Sequence, residues 1–290
     1  MNTKTEVKAH QRKSLVVVAT SMCAALYAIG AYATAYIPSP WGFGQFRPAV
    51  VIPAFFATIF GPWPAALGAA LGTLIADSTK HGYLYPGSFL AAVPGNFIGF
   101  FLFGYILKKR FSWGRFIAAS NLTLTVANLI VAFLYVFIFK VVYVGDIKYV
   151  TVAPQVLTYL SIGLTIYWFV TMLPFVLLVT PLLIRAAVAA FPSILPEGVK
   201  VHSLREEIPK TTLGLAMLIP GIVMLMIGLF STAYADFGKL FSLAGVALTV
   251  TQILFYGSGV FLFALGIITY AGQKFLWRKQ FVEKKRRESN

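Results

Sequence analysis

Long apolar stretches alternate with short polar segments along almost the whole chain. A helix needs about 20 mostly apolar residues to cross the hydrocarbon layer of a membrane, and several stretches reach or approach that length. The spacing predicts eight helices, at 15–37, 48–60, 63–77, 88–107, 115–142, 155–189, 212–233 and 244–272. We therefore expect an all-α, polytopic membrane helix bundle.

Prolines modify two parts of this pattern. Gly61-Pro62-Trp63-Pro64 interrupts an apolar run, and proline both removes a backbone donor and clashes with the preceding turn. We expect that run to form a hairpin of two short helices. The long 155–189 run contains Pro174 and Pro181, so we expect it to tilt, to kink or to leave the bilayer. The first run, 15–37, is longer than the apolar core of a cleavable signal peptide and is interpreted as a retained helix.

Composition excludes several classes of protein. Of the 290 residues, 59% are hydrophobic and only 11% are charged, whereas soluble domains carry about 25% charged residues. This excludes a soluble cytosolic enzyme, and the high hydrophobicity excludes a disordered chain. What is left is a multi-pass protein of the cell membrane.

The net charge of +15 fits a definite orientation. With eight crossings and a cytoplasmic N-terminus, all but five of the 24 lysines and arginines fall on the inner side, as the positive-inside rule requires. Both termini are therefore expected in the cytoplasm, and we do not attribute the basic excess to nucleic-acid binding. The five exceptions are Arg47, Lys80, Lys140, Lys148 and Lys239.

The residue types typical of enzymes and of resident cofactors are missing from the sequence. A single cysteine, Cys23, excludes an internal disulfide, and the three histidines are far apart. No glycine-rich phosphate-binding motif is present, so this chain is not expected to hydrolyse ATP itself. We predict no catalytic residues, no bound metal and no cofactor.

Three loops on the predicted outer side, at 38–48, 77–88 and 143–155, collect aromatic and polar side chains. A few polar groups among aromatic walls are typical of small-molecule sites, although Trp and Tyr also gather at membrane interfaces. We take the loops together as a candidate site. The candidate substrate-binding residues are Trp41, Gln45, Arg47, Asp77, His81, Tyr85 and Asn96.

Some of these candidates have an alternative structural interpretation. Arg47 and Asp77 bracket the predicted hairpin, so they suit either an ion pair that closes it or contact with a ligand. Asn96, like Asn121 and Asn128, lies within a predicted span, where an asparagine commonly forms an interhelical hydrogen bond. Both interpretations stay open on the sequence alone.

Three stretches carry a resemblance to a known family: Phe46-Arg-Pro-Ala-Val-Val-Ile-Pro through Phe60-Gly-Pro62, Ala65-Ala-Leu-Gly through Ala76-Asp77, and Pro86-Gly-Ser through Gly104-Tyr105. Over about residues 15–190 the chain resembles the substrate-binding S components of energy-coupling factor (ECF) transporters. That resemblance implies a six-helix membrane protein that captures vitamins or their precursors from outside. It also implies partner subunits, namely a transmembrane T subunit and two ATPase subunits. Ala24 and Ala28 best match the family's motif for docking on the T subunit.

The helices at 212–233 and 244–272 exceed the six-helix module. The chain is accordingly divided into a basic cytoplasmic N-terminus, a six-helix substrate-binding core, a cytoplasmic loop, two additional helices and a basic cytoplasmic tail, at 1–14, 15–190, 191–211, 212–272 and 273–290.

Our preferred hypothesis is the substrate-capture subunit of an ECF-type uptake transporter for a small heterocyclic micronutrient. It would contact a small-molecule substrate, membrane lipids and the T and ATPase subunits. The alternative is a non-transporting structural subunit of a membrane complex, in which the aromatic loops are an interfacial belt. A secondary carrier fits less well, because the spans hold almost none of the ionisable groups that carriers use. A membrane enzyme fits least.

Overall fold

The computed structural model describes residues 3–39, 42, 44–193, 195–205, 208–234 and 248–288. Helices dominate this part of the chain, and two π-helical segments, Ser88–Ala92 and Leu134–Tyr143, accompany them. The α-helices within the described residues are α1 Thr3–Ala33, α2 Val51–Phe60, α3 Pro62–His81, α4 Val93–Lys108, α5 Trp113–Phe133, α6 Ile147–Val150, α7 Pro154–Ala190, α8 Glu197–Arg205, α9 Lys210–Ala233 and α10 Leu248–Glu288.

The expected all-α membrane bundle is confirmed. In the described ranges six helical stretches are long and apolar enough to cross a membrane, and the apolar helix Pro48–Phe60 is shorter. The number of crossings and the side on which the termini lie stay predictions. The six stretches are Lys13–Ala33, Ser88–Lys108, Trp113–Tyr143, Pro154–Ala190, Lys210–Ala233 and Leu248–Ala271.

The predicted hairpin is present as α2 and α3. Gly61 alone separates them and has φ 85°, a left-handed backbone that favours glycine. Pro62 then begins α3, where a missing N–H costs nothing because the first turn of a helix has unpaired donors anyway. The hairpin brings both ends of the apolar run to one end of the bundle.

Helix α7 runs without interruption through both of its prolines. Its 37 residues correspond to a length of about 55 Å, well beyond the roughly 30 Å of a hydrocarbon core. Pro174 is fully inside the protein, in a helix whose neighbours are α2 and α5. Tertiary packing therefore holds the helix together where proline removes backbone hydrogen bonds.

Glycines set the close approach of α1 to α3. A Cβ added at Gly68 would lie 2.5 Å from the Cβ of Cys23, and one added at Gly72 would lie 2.7 Å from the carbonyl oxygen of Ala24. Neither position has room for a side chain. Small residues are what allows helices to pack in lipid, where no hydrophobic force draws them together.

The two additional helices, α9 and α10, pack chiefly on each other. Their contact also depends on glycines, since a Cβ at Gly221 would lie 2.6 Å from the backbone nitrogen of Phe263 and one at Gly266 would lie 2.9 Å from the carbonyl oxygen of Gly214. The pair touches the rest of the bundle at α5 and α7. It is thus an appended hairpin beside the helices that build the site.

Candidate substrate-binding site

A cavity of about 290 Å³ lies at the end of the bundle where α3 ends and α4 begins. Its lining comes from the loop after α1, from the end of α3, from both π-helical segments, and from α4, α5 and α7. The volume is near the lower limit of small-molecule sites, which span about 300–1,000 Å³. π-Helical segments occur frequently at functional sites, and here the two pack on each other at the cavity.

The loop after α1 folds back on itself in a tight turn. The backbone N–H of Ser39 donates to the carbonyl of Gly44 at 3.0 Å, and that of Phe46 donates to Ile37 at 2.9 Å. Gly44 has φ 72°, and a Cβ there would lie 2.6 Å from Cζ2 of Trp168. Trp168 in turn donates its indole N–H to the carbonyl of Gln45 at 3.2 Å. The turn is thereby fixed against α7.

This turn places Gln45 and Arg47 against α3. Arg47 forms an ion pair with Asp77 and donates to the hydroxyl of Thr73. Thr73 and Asp77 are four residues apart, so they lie on the same face of α3. Nε2 of Gln45 donates to Oδ1 of Asp77 at 2.9 Å, and Nζ of Lys80 donates to Oε1 of Gln45 at 3.0 Å. We call these five residues, Gln45, Arg47, Thr73, Asp77 and Lys80, the closed wall.

The closed wall is buried except for the half-buried Lys80, and its members bond to one another. Arg47 and Asp77 are 8% and 7% exposed, and Thr73 is 0% exposed. A buried ion pair persists only where further hydrogen bonds satisfy the remaining donors and acceptors. The Gln45 and Thr73 contacts do this, so the network closes the junction of the loop with the hairpin. All of its members except Thr73 line the cavity.

Another part of the cavity lining holds polar groups whose hydrogen bonding is incomplete. The hydroxyl of Ser88, 2% exposed, has no hydrogen-bond partner among the described residues. Asn96 likewise makes no hydrogen bond within the described ranges, and Asn128 donates only to the sulfur of Met172 at 3.7 Å. All three line the cavity. We call Ser88, Asn96 and Asn128 the open wall.

Aromatic side chains also line the cavity. The ring of Tyr85 stacks on that of His81 with centroids 3.9 Å apart and an interplanar angle of 11°. Its hydroxyl lies 3.0 Å from that of Tyr135, which belongs to the second π-helical segment. Burial raises the pKa of Tyr85, so the hydroxyl stays a neutral donor near pH 7. These rings offer flat faces to a ligand.

The third predicted loop does not reach the cavity. No residue of 143–155 lines it in the described chain; the π-helical Leu134–Tyr143 contributes Tyr135 and Lys140 instead. The loop supports them from outside, because Asp146 pairs with Lys140 at 3.8 Å and the ring of Tyr149 lies under the Lys140 ammonium at 5.6 Å. This loop therefore supports Tyr135 and Lys140 without lining the cavity itself.

Six of the seven candidate binding residues line this one cavity: Gln45, Arg47, Asp77, His81, Tyr85 and Asn96. Trp41 lies outside the described residues. Whether the six contact a substrate stays a prediction. Sequence reasoning missed the lining residues Lys80, Ser88, Tyr135, Lys140 and Trp168, and it left the role of Asn128 open. It also missed Thr73, which bonds to Arg47 but does not itself line the cavity. The four-residue spacing of Thr73 from Asp77 was the one available signal.

The two candidate docking residues lie on the face of α1 that packs on α3. Ala24 and Ala28 are 6% and 7% exposed, and the carbonyl of Ala24 touches Gly72. Ala25 lies between them on the exposed face of the helix. Docking through α1 stays a prediction, and the alanine pair has a role within the chain itself.

No group of three or more His, Cys, Asp or Glu side chains that could hold a metal ion occurs in the described part of the chain. Cys23 is buried against α3. The chemistry of the cavity is therefore that of hydrogen bonding, charge and aromatic contact.

Residues 12–189 match the family model for the S component of the ECF-type riboflavin transporter. The match spans α1 to α7, the helices that build the cavity, and stops before α9 and α10. No curated protein and no solved structure matches the chain.

Proposed function

Because the chain belongs to the ECF-type riboflavin transporter S component family, we propose that its cavity captures riboflavin for uptake across the membrane. Membership of the family makes the chain a membrane-embedded, substrate-binding subunit of an ECF transporter. Such subunits are not a class of enzyme. The family resemblance found in the sequence is thereby confirmed.

The observation that carries the proposal is the pairing of aromatic rings with the open wall in one cavity. Riboflavin has a flat tricyclic ring with amide-like donors and acceptors along one edge, and a hydroxylated ribityl chain. Tyr85 and Tyr135 supply flat faces, and the amides of Asn96 and Asn128 can both donate and accept. Buried polar groups without partners are costly until a ligand satisfies them.

A fluorescence titration of the purified protein in detergent tests this proposal. Flavin emission responds when the ring enters a protein site, so riboflavin is added at increasing concentration and a heterocyclic vitamin without a flavin ring serves as competitor. We expect saturable binding of riboflavin that the competitor does not displace. Saturable binding of the competitor alone would overturn the flavin assignment, and binding of neither would favour the structural-subunit alternative.

We also propose that a T subunit docks on α1 and that separate ATPase subunits drive transport. The burial of Ala24 changes the variant that tests docking. Ala24→Trp would force an indole into the contact with α3 and is expected to impair both folding and riboflavin binding. Ala25→Trp, on the exposed face, should leave binding intact and abolish transport in cells that express all subunits.

The matched pair of variants separates docking from packing. If Ala25→Trp transports normally while Ala24→Trp binds riboflavin but does not transport, the alanine pair itself is the docking surface. If both variants transport normally, docking does not use this part of α1.

A further inference from the structure

A second concave surface lies at the opposite end of the bundle from the cavity. Its volume is about 480 Å³. Its walls are the ends of α2 and α4, the beginning of α3, and the segment that leads into α8. The side chains of Ile59, Phe60 and Leu107 make it apolar inside. We call it the inner groove, because the positive-inside rule places this end in the cytoplasm.

Three consecutive cations, Lys108, Lys109 and Arg110, form the rim of the inner groove. All three are exposed, and among the described residues no carboxylate lies within ion-pair distance of any of them. Glu197, in the adjoining α8, pairs with Lys200 instead. The rim therefore carries positive charge that a ligand could balance.

An aromatic ladder leads from the rim along the outer surface of α4. Phe97, Phe101 and Tyr105 follow one another at intervals of four residues, with ring centroids 6.2 and 6.4 Å apart. Trp63 packs edge-on against Phe101 at 5.0 Å and also lines the inner groove. Trp63 and Tyr105 are 55% and 56% exposed. Apolar surface thus continues from the groove onto the face that meets the membrane.

We propose that the inner groove is a binding site for a phospholipid with an anionic headgroup. Its acyl chain would lie along the ladder and its phosphate would lie at the cationic rim. Basic pockets between membrane helices on the cytoplasmic side are suited to such headgroups. The cationic rim without a carboxylate partner, the apolar groove and the aromatic ladder together suit this ligand, and all three lie apart from the substrate cavity.

Native mass spectrometry of the full chain in detergent, with added phosphatidylglycerol or phosphatidylcholine, tests the site. We expect the wild type to retain phosphatidylglycerol preferentially. Lys108→Gln/Arg110→Gln should reduce retention about tenfold, since each cation near an anionic lipid contributes to its binding. The matched control is Arg185→Gln/Lys210→Gln, which removes the same charge in the segments that flank α8 and should retain the lipid.

A second pair of variants tests the groove without changing charge. Gly198 lines the groove, and a Cβ there meets no atom within 4 Å, so Gly198→Leu fills open space and should expel the lipid. Gly114 is equally open but lies outside the groove, and Gly114→Leu should retain the lipid.

Three results would overturn the proposal. One is that Lys108→Gln/Arg110→Gln and Gly198→Leu both retain phosphatidylglycerol as well as the wild type does. Another is that added glycerol 3-phosphate, which has no acyl chain, is retained as well as phosphatidylglycerol. That result would make the site a subsite for free phosphate. The third is protection of Lys108 and Lys109 from chemical labelling by a purified T subunit but not by lipid, which would make the groove a protein interface.

Discussion

The two walls of the substrate cavity differ in whether their polar groups already have partners. In the closed wall, Arg47, Asp77 and Gln45 bond to one another and to α3. In the open wall, Ser88 has no partner among the described residues and Asn128 has only a sulfur acceptor. We therefore expect the neutral amides of the open wall, more than the charged side chains of the closed wall, to contact a ligand.

The difference has an energetic origin. Moving a charge out of water costs several kcal/mol, so a buried ion pair must be complete in the free protein. Leaving a neutral amide partly unsatisfied costs only about 1–3 kcal/mol, which the folded chain can tolerate until a ligand binds. We therefore expect the closed wall to set the shape of the cavity and the open wall to recognise the ligand, and each expectation can be tested.

The largest expected effect comes from breaking the ion pair of the closed wall. Asp77→Asn keeps the shape of the side chain but leaves the Arg47 guanidinium buried without a counter-charge. Loss of one partner of a buried pair costs about 3–5 kcal/mol. We expect a large fall in the unfolding temperature in detergent, together with loss of riboflavin binding.

Asp146→Asn is the matched control. Its carboxylate lies 3.8 Å from Lys140 and is about one quarter exposed, and pairs of this kind contribute about 0–1 kcal/mol. Equal destabilisation by the two variants would show that burial of the Arg47 pair is not what holds this wall.

A smaller effect is expected from the loop that carries Gln45 into the closed wall. Gly44→Ala meets both a left-handed backbone and the Trp168 ring at 2.6 Å. Gly42→Ala, at φ 75°, meets the backbone strain alone, because no atom lies within 4 Å of its Cβ. The backbone strain costs about 1–2 kcal/mol in each variant, and Gly44→Ala adds the clash with Trp168. We therefore expect a lower unfolding temperature for Gly44→Ala than for Gly42→Ala. Identical values would mean that the indole moves aside.

Changes to the open wall should act on affinity and leave stability almost unchanged. Asn96→Leu and Asn128→Leu remove amides that lack a strong partner in the free protein. We expect the riboflavin dissociation constant to rise about tenfold for each, the value of a hydrogen bond lost in a buried site. Asn121→Leu is the control, because its amide donates to Ile117 in its own helix and does not line the cavity. A tenfold loss in Asn121→Leu as well would remove the distinction between the walls.

The sequence predicted the fold well because hydrophobic length and proline position are local properties. The hairpin at Gly61-Pro62 was expected, and so was the long 155–189 run, which is a single helix over Pro154–Ala190. The all-α bundle is confirmed. The extension of the Leu134–Tyr143 helix into π-helical geometry was not expected, since nothing in an apolar run distinguishes π from α geometry.

For the site, the sequence located the residues but not their partners. Gln45, Arg47 and Asp77 were selected by polarity, and both interpretations of the Arg47–Asp77 pair stayed open until the fold brought Thr73 beside it. Ser88 begins a π-helical segment, and in the sequence this segment looks like the start of an ordinary helix. Whether the polar groups of a wall find hydrogen-bond partners depends on contacts between segments that are distant in sequence, and tertiary packing sets those contacts.

The smallest expected effect concerns the Tyr85–Tyr135 contact at the cavity. Their hydroxyls lie 3.0 Å apart, so Tyr85→Phe should lower the free energy of unfolding by about 1 kcal/mol.

Burial raises the pKa of Tyr85 above its ordinary value of 10.0. The folded state therefore holds this proton more tightly than the unfolded state, and its contribution to stability is constant below about pH 10 and declines above it. Riboflavin affinity of the wild type should accordingly show no step from this hydroxyl between about pH 7 and pH 9. A step in that range that disappears in Tyr85→Phe would mean that the hydroxyl ionises in the folded protein and that the Tyr85–Tyr135 contact carries a charge.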